Sequence, residues 1–244
     1  MPTFKILLEY DGTAYAGWQR QPNQPTIQEA VEAALRRIAQ ADLSTIAAGR
    51  TDAGVHALGQ VVSFKTGKPL SPGEWQRALN ATLPDDISVR SAEQASDDFH
   101  ARFSAVRKLY AYRILHRPER SALERGRSWH LYGKLNLDAM REASRHLVGR
   151  HDFSSFQGHP TDVENPICDL QRLEIVKDQD IVRIEVEADR FLKQMVRAMV
   201  GTIVEVGQEK RKPEEMKKIL DAKDRRAAGY TAPAHGLYLI AVAY

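Results

Sequence analysis

The spacing of hydrophobic residues along the 244-residue chain alternates between the two-residue period of strands and the 3.6-residue period of helices. In the first half, a strand is predicted at residues 4–10, and two helices begin after Thr26 and Ser71. Each of these two residues is followed three positions later by glutamate, the pattern of a capping box. Further strands are predicted at residues 44–48, 60–64 and 87–92. The first half therefore predicts one α+β unit.

The second half repeats this order of elements with insertions. Strands are predicted at residues 108–116, 170–177, 181–188 and 236–244, and helices at residues 137–148, at residues 191–206 and after Pro213. The second and third of these strands are predicted to form a hairpin. Residues 117–127 and 159–166 are predicted to be long loops on composition. Because each half approximates a split β-α-β arrangement, we predict two α+β domains, residues 1–104 and 105–244.

Charge is distributed unevenly along the chain, although the net charge is only +3. Residues 100–130 carry a net charge of +6 (8 basic, 2 acidic), and residues 190–244 carry +5 (11 basic, 6 acidic). Residues 160–189 carry −6 (3 basic, 9 acidic). Segregated positive charge favours a polyanionic partner, whereas the alternative interpretation is a set of ordinary solvated surfaces.

Cysteine usage and hydropathy exclude several classes of protein. The single cysteine, Cys168, excludes an intrachain disulfide and a multi-cysteine zinc site, and it fits a reducing compartment. The eight histidines are scattered, so no metal-ligand spacing is present. No apolar run is long enough to cross a bilayer, and the N-terminus does not resemble a signal peptide. We therefore expect a soluble cytoplasmic protein with no membrane partner.

The segment with the highest density of candidate chemistry is residues 49–56, which connects two predicted strands. It contains Arg50, Asp52 and His56, with a glycine on each side of the carboxylate. A carboxylate two residues from an arginine can be held ionised and oriented, as a nucleophile or a base requires. The alternative interpretation is a simple turn, since aspartate and glycine dominate turns.

Aromatic and basic residues elsewhere suggest contacts with nucleic acid. The predicted loop at residues 10–20 combines three aromatic residues with a final arginine and suits stacking on bases, or it is an ordinary packed loop. Tyr110 and Tyr112 share one face of a strand, where a core pair is the alternative to base stacking and proton transfer. Arg197 lies on an apolar helix and needs a partner, for which Asp52 is the obvious candidate.

Taken in order, the motifs resemble those of the bacterial tRNA pseudouridine synthase A family. Matching segments lie at residues 10–12, 17–21, 48–56, 80–84, 97–102, 110–112, 195–201 and 236–239. The resemblance implies two similar ferredoxin-like or RRM-like α+β subdomains that share one continuous mixed sheet, with an active-site cleft between them. It also implies isomerisation of uridine to pseudouridine at positions 38, 39 and 40 in the anticodon stem-loop of tRNA. Members form homodimers and need no cofactor or metal.

The same resemblance assigns roles to four residues. Asp52 is expected to be the catalytic carboxylate, acting on a flipped-out uridine by attack on C1′, by attack on C6 or by removal of the C2′ proton. Tyr110 is expected to stack on the uracil, and Arg50 and Arg197 are expected to orient Asp52 or the RNA backbone. Two other classes stay open: a non-catalytic RNA-binding protein, and a magnesium-dependent phosphohydrolase that uses the Asp11 region.

Overall fold

A computed structural model describes residues 1–161 and 163–244. The chain divides into two compact units, Met1–Val106 together with Tyr238–Tyr244, and Arg107–Leu237. The division drawn from the sequence, 1–104 and 105–244, differs in the last strand, which the structure places with the first unit. The reason is a pairing between residues distant in sequence, because Tyr238 and Leu239 pair in parallel with His56 and Ala57.

The regular elements alternate along both units. The first unit contains β1 (Thr3–Tyr10), α1 (Ile27–Ala39), β2 (Thr45–Ala47), β3 (His56–Lys65), α2 (Pro72–Asn80) and β4 (Ile87–Ala95). The second unit contains β5 (Arg107–His116), β6 (Trp129–Leu131), α3 (Leu137–Arg145), β7 (Gly149–Asp152), a 3₁₀ turn (Ser154–Phe156), β8 (Ile167–Asp178), β9 (Ile181–Ala188), α4 (Met195–Gly207), α5 (Glu215–Ala222) and a 3₁₀ turn (Ala234–Gly236). The chain ends with β10 (Leu237–Ala243).

The sheet of the first unit has the strand order β4-β1-β3-β10. β1 is antiparallel to both β3 and β4, β2 is antiparallel to β3, and β10 is parallel to β3. α2 packs on this sheet through Trp75, which is fully buried beside the stacked rings of Phe4 and Phe64. The predicted capping box fixes the start of α2, since Ser71 Oγ accepts the Glu74 N–H and Glu74 Oε2 accepts the Ser71 N–H at 2.8 Å.

The sheet of the second unit has the antiparallel order β5-β9-β8-β7, with β6 parallel to β5. The predicted hairpin is present, and Asp178 pairs with Ile181 across its turn. α4 begins at Met195 rather than at residue 191, because Gln194 has a φ of 57°, a left-handed conformation that ends a helix. α4 is buried on nearly all sides, as its apolar sequence requires.

The predicted α+β class, with a mixed sheet in each unit, is confirmed. Residues 117–127 form no helix or strand, as predicted. The predicted loop at residues 159–166 includes Asp162, which lies outside the described residues. In the described part of the chain, no helix has both the length and the hydropathy needed to span a bilayer.

Candidate active site

The loop that carries Asp52 leaves β2 and enters β3. Asp52 is partly buried and Arg50 is exposed. The Asp52 carbonyl accepts the Val55 N–H at 3.1 Å and closes a turn, in which Gly54 has a φ of 75°. The turn interpretation is therefore correct for the backbone, and this turn fixes where the Asp52 side chain begins.

A second loop, residues 11–20, lies against the Asp52 loop and holds it through backbone hydrogen bonds. Trp18 N–H donates to the Thr51 carbonyl at 3.0 Å, and Gly54 N–H donates to the Tyr15 carbonyl at 3.3 Å. Contact this close requires Gly17, which has a φ of 100° and on which a Cβ would lie 2.6 Å from the Thr51 oxygen. The position of Asp52 is thus set by two loops and not by its own turn alone.

Hydrogen bonds from buried side chains also hold the Asp52 loop in place. The Tyr10 hydroxyl and Thr51 Oγ1 are 2.8 Å apart, and the Gln60 amide donates to the Gly49 carbonyl at 2.7 Å and to the Tyr10 hydroxyl at 3.4 Å. Burial raises the pKa of Tyr10 to about 12, although the bonds from Thr51 and Gln60 act in the opposite direction. The hydroxyl is therefore neutral at physiological pH and acts as a fixed hydrogen-bonding group.

His56 joins the two loops to the last strand of the first unit. Its Nδ1 accepts the Gly12 N–H at 3.1 Å, and its ring stacks on Tyr238 with centroids 4.7 Å apart. The same Nδ1 lies 3.1 Å from Asp11 Oδ1, so His56 contacts both the backbone and a carboxylate of the 11–20 loop. His56 is only 3% exposed, and its contacts with Gly12 and Tyr238 connect the 11–20 loop to β10 at this end of the sheet.

The aromatic residues of the 10–20 loop do not form a base-stacking surface. Tyr10 and Trp18 are 3% and 2% exposed, and the Tyr15 hydroxyl donates to the Asp86 carboxylate at 2.6 Å. For Tyr10 and Trp18 the packed-loop alternative is correct, whereas Tyr15 is only partly buried. The Tyr10 hydroxyl contacts Thr51 of the Asp52 loop, a tertiary contact that local sequence does not reveal.

Asp11, the residue behind the phosphohydrolase alternative, is used in local structure. Its carboxylate accepts the Thr13 N–H at 3.0 Å and the Thr13 hydroxyl at 2.6 Å, which is an Asx-type turn. Among the described residues, no group of three or more histidine, cysteine, aspartate or glutamate side chains is arranged to hold a metal ion. The structure therefore gives the phosphohydrolase interpretation no support.

The other two candidate residues, Tyr110 and Arg197, belong to the second unit. Tyr110, on β5, is 7% exposed and lies edge-on to Phe191 with centroids 5.0 Å apart. Tyr112, two residues along the strand, is fully buried and donates its hydroxyl to the Pro233 carbonyl at 2.7 Å; this burial raises its pKa. For Tyr112 the core interpretation is correct.

Arg197, on α4, is bound to the segment that follows α5. Arg197 Nε donates to the Ala232 carbonyl at 2.8 Å, and Ala232 N–H donates back to the Arg197 carbonyl at 3.0 Å. This reciprocal pair of hydrogen bonds fixes the Nε end of the Arg197 guanidinium. The predicted pairing of Arg197 with Asp52 would join the two units and stays a prediction.

Sequence reasoning missed the segment at residues 225–232, which holds Arg197 in place. Gly229 N–H donates to Thr202 Oγ1 at 2.9 Å, and Tyr230 N–H donates to Glu205 Oε1 at 3.3 Å, so α4 supplies both acceptors. Arg225 donates to the Gly229 carbonyl at 2.9 Å; its burial lowers its pKa. The sequence signal that could have found this segment was Glu205, which is, besides Arg197, the charged residue of the apolar helix α4 and needs a polar partner.

Comparison with known sequences identifies the family. The sequence model of the tRNA pseudouridine synthase family matches residues 6–104 and 143–244. This chain belongs to that family. The tRNA pseudouridine synthase A of Syntrophotalea carbinolica is 46% identical over 244 residues, covering 100% of this chain and 97% of the relative. Those of Thermoanaerobacter sp. strain X514 (44%; 100% of each chain) and Geobacillus kaustophilus (47%; 98% and 93%) are similarly close.

Membership of the tRNA pseudouridine synthase family makes the chain an isomerase of tRNA uridine and confirms the resemblance seen in the sequence. The matched segments include Arg50, Asp52 and Arg197, whereas Tyr110 falls between them. The predicted role of Tyr110 therefore rests on the resemblance seen in the sequence and not on the family model.

Proposed function

We propose that this pseudouridine synthase acts on positions 38, 39 and 40 in the anticodon stem-loop of tRNA, with Asp52 as the catalytic carboxylate. The observation that carries the proposal is the support of the Asp52 turn by a second loop and by the buried Tyr10–Thr51–Gln60 hydrogen bonds. A backbone held this firmly fixes where the Asp52 side chain begins before the substrate arrives, and such preorganisation favours catalysis.

The reaction suits a site of this kind because it needs neither an oxidant nor a second substrate. The N1–C1′ bond breaks, the uracil rotates, and a C5–C1′ bond forms. The C5 proton leaves and N1 gains a proton, so electrons and atoms balance within the nucleotide and water. The enzyme must therefore supply a carboxylate, a pocket for the flipped base and a route for one proton.

The remaining residues have distinct proposed roles. Arg50 is exposed and two residues before Asp52, where its guanidinium would bind a backbone phosphate. Arg197 donates from Nε to the Ala232 carbonyl, and its guanidinium would orient Asp52 or a phosphate. Tyr110 has one side of its ring fixed by Phe191 and would stack on the flipped uracil and assist removal of the C5 proton.

We further propose a cytoplasmic homodimer, following the family resemblance. Static light scattering at the assay concentration tests the dimer directly. A mass of twice 27.5 kDa is expected, and a mass of one chain contradicts this part of the proposal.

Tritium release from tRNA labelled at uracil C5 tests the catalytic role. In EDTA, the wild-type enzyme should release tritium and Asp52→Asn should not, while both bind tRNA with similar affinity. Asp138→Asn is the matched control, because this carboxylate is 92% exposed on α3 and should leave release unchanged. Undiminished tritium release by Asp52→Asn refutes the proposed role of Asp52. A lack of release by the variants and by the wild-type protein alike favours the RNA-binding alternative.

A further inference from the structure

Phe103 is an exposed aromatic residue on a rigid turn, outside the site described above. It is 75% exposed. Its turn is anchored on both sides: His100 N–H donates to Ser104 Oγ at 3.2 Å, and Ser104 N–H donates to the His100 carbonyl at 2.9 Å. The exposure of Phe103 is therefore built into the fold.

The turn is also fixed to the sheet of the first unit through Ala101. This residue is fully buried, its N–H donates to Ser63 Oγ at 3.4 Å, and its carbonyl accepts the Tyr244 hydroxyl at 2.8 Å. Ser63 lies seven residues after His56 along β3, which places it about 23 Å from the start of that strand at 3.3 Å per residue. Phe103 therefore projects from the part of the sheet remote from Asp52.

The neighbours of Phe103 hold its ring in one orientation. The His100 ring stacks on it with centroids 4.3 Å apart and an interplanar angle of 28°, and the Arg102 guanidinium lies 5.5 Å from its centroid. His100 Nδ1 accepts the N–H groups of both Arg102 and Phe103, at 3.2 and 3.1 Å. We name the three residues His100, Arg102 and Phe103 the aromatic shelf.

The positive charge near the aromatic shelf indicates which kind of partner binds there. Residues 97–109 contain three basic side chains and two acidic ones, and the acidic pair, Asp97 and Asp98, precedes the turn whereas Arg102 lies within the aromatic shelf. A second copy of this chain would bring two equal positive charges together in a symmetric contact, which is unfavourable. An RNA strand supplies both a phosphate for Arg102 and a base with a flat face for Phe103.

We propose that the aromatic shelf binds an unpaired base and its phosphate in the tRNA substrate, away from the uridine that reacts. This inference rests on the proposed function in two respects: tRNA is the substrate, and the reacting uridine lies at Asp52. Because the aromatic shelf is remote from Asp52, its loss weakens tRNA binding and leaves the chemical step unchanged.

The test is the dissociation constant for an unmodified tRNA transcript, measured with single-turnover tritium release at saturating enzyme. Phe103→Ala should raise Kd by about 5- to 100-fold with an unchanged saturating rate. Phe103→Trp should bind tRNA with about the affinity of the wild type, whereas Phe103→Leu should bind as weakly as Phe103→Ala, since stacking requires an aromatic ring. Tyr132→Ala is the matched control, because Tyr132 is 76% exposed in the second unit and lies beside His130.

Salt dependence separates the roles of the ring and the charge. Arg102→Ala should reduce the slope of log K against log salt by about 0.7 to 0.9, whereas Phe103→Ala should leave the slope unchanged. The proposal is overturned if Phe103→Ala keeps full affinity for tRNA, or if Phe103→Leu restores it. It is also overturned if Tyr132→Ala loses as much affinity, or if Phe103→Ala lowers the oligomeric mass. Wild-type tritium release in the same assay shows that the proposed function stands independently of these outcomes.

Discussion

Gly17→Ala should damage catalysis without changing any side chain that is proposed to contact the substrate. The added Cβ would lie 2.6 Å from the Thr51 carbonyl oxygen and 3.0 Å from the carbonyl carbon of Asp52, in a residue with a φ of 100°. Both contacts are with the backbone that carries the catalytic carboxylate. The perturbation therefore acts directly on the position of Asp52.

The magnitude follows from the distances. An ordinary contact begins at 3.4 Å, so the Thr51 oxygen must retreat by about 0.8 Å (3.4 minus 2.6) if the loop is to accept the methyl group. A displacement near 1 Å costs roughly 100-fold in rate when a catalytic group must be aligned. The positive φ adds about 1–3 kcal/mol of strain to the folded state. We expect kcat to fall by about 10- to 100-fold, with a smaller change in KM.

Single-turnover tritium release and urea unfolding measure the two effects separately. Gly73→Ala is the matched control, because Gly73 lies in α2 and a Cβ there meets only Arg77 Nη1, at 3.5 Å. This variant should keep wild-type activity and gain up to about 1 kcal/mol of stability, as alanine does in helices. Wild-type kcat in Gly17→Ala, with Gly73→Ala behaving as expected, would refute the account of how Asp52 is positioned.

Two further predictions concern the buried tyrosines. Tyr110→Phe should lower the single-turnover rate by about 100-fold or more with unchanged tRNA affinity, and an unchanged rate would remove the hydroxyl from the chemistry. Burial raises the pKa of Tyr10 from its ordinary value of 10.0 to about 12, so the folded state holds this proton more tightly, and the resulting stabilisation is lost as pH rises from 10 to 12. In urea titrations over that interval, wild-type stability should fall more steeply than that of Tyr10→Phe, by roughly 1.4 kcal/mol per pH unit, and equal slopes would contradict the assignment.

Sequence periodicity located the elements well because most of them have a clear buried face. β1, α1, the β8–β9 hairpin and the capping box at Ser71 depend on residues close in sequence, and all were predicted. The start of α4 was wrong by four residues, because the left-handed conformation of Gln194 has no signature in a run of helix-compatible residues.

The candidate site was predicted only where one short segment contains the chemistry. Asp52 and Arg50 are two residues apart, so their proximity is visible in the sequence. The support from Gly17 and Gln60 joins segments distant in sequence, and the burial of Trp18 results from the same contacts. Such contacts are decided by tertiary packing, which local patterns do not encode.

Mapping of pseudouridine in tRNA after the reaction tests the central claim most directly. A transcript with uridine at positions 38, 39 and 40 would be incubated with wild-type enzyme or with Asp52→Asn, and each pseudouridine would be located by sequencing after carbodiimide treatment. The account predicts pseudouridine at those positions with the wild-type enzyme and none with Asp52→Asn. Modification elsewhere in the transcript, or the same modification by Asp52→Asn, would contradict it.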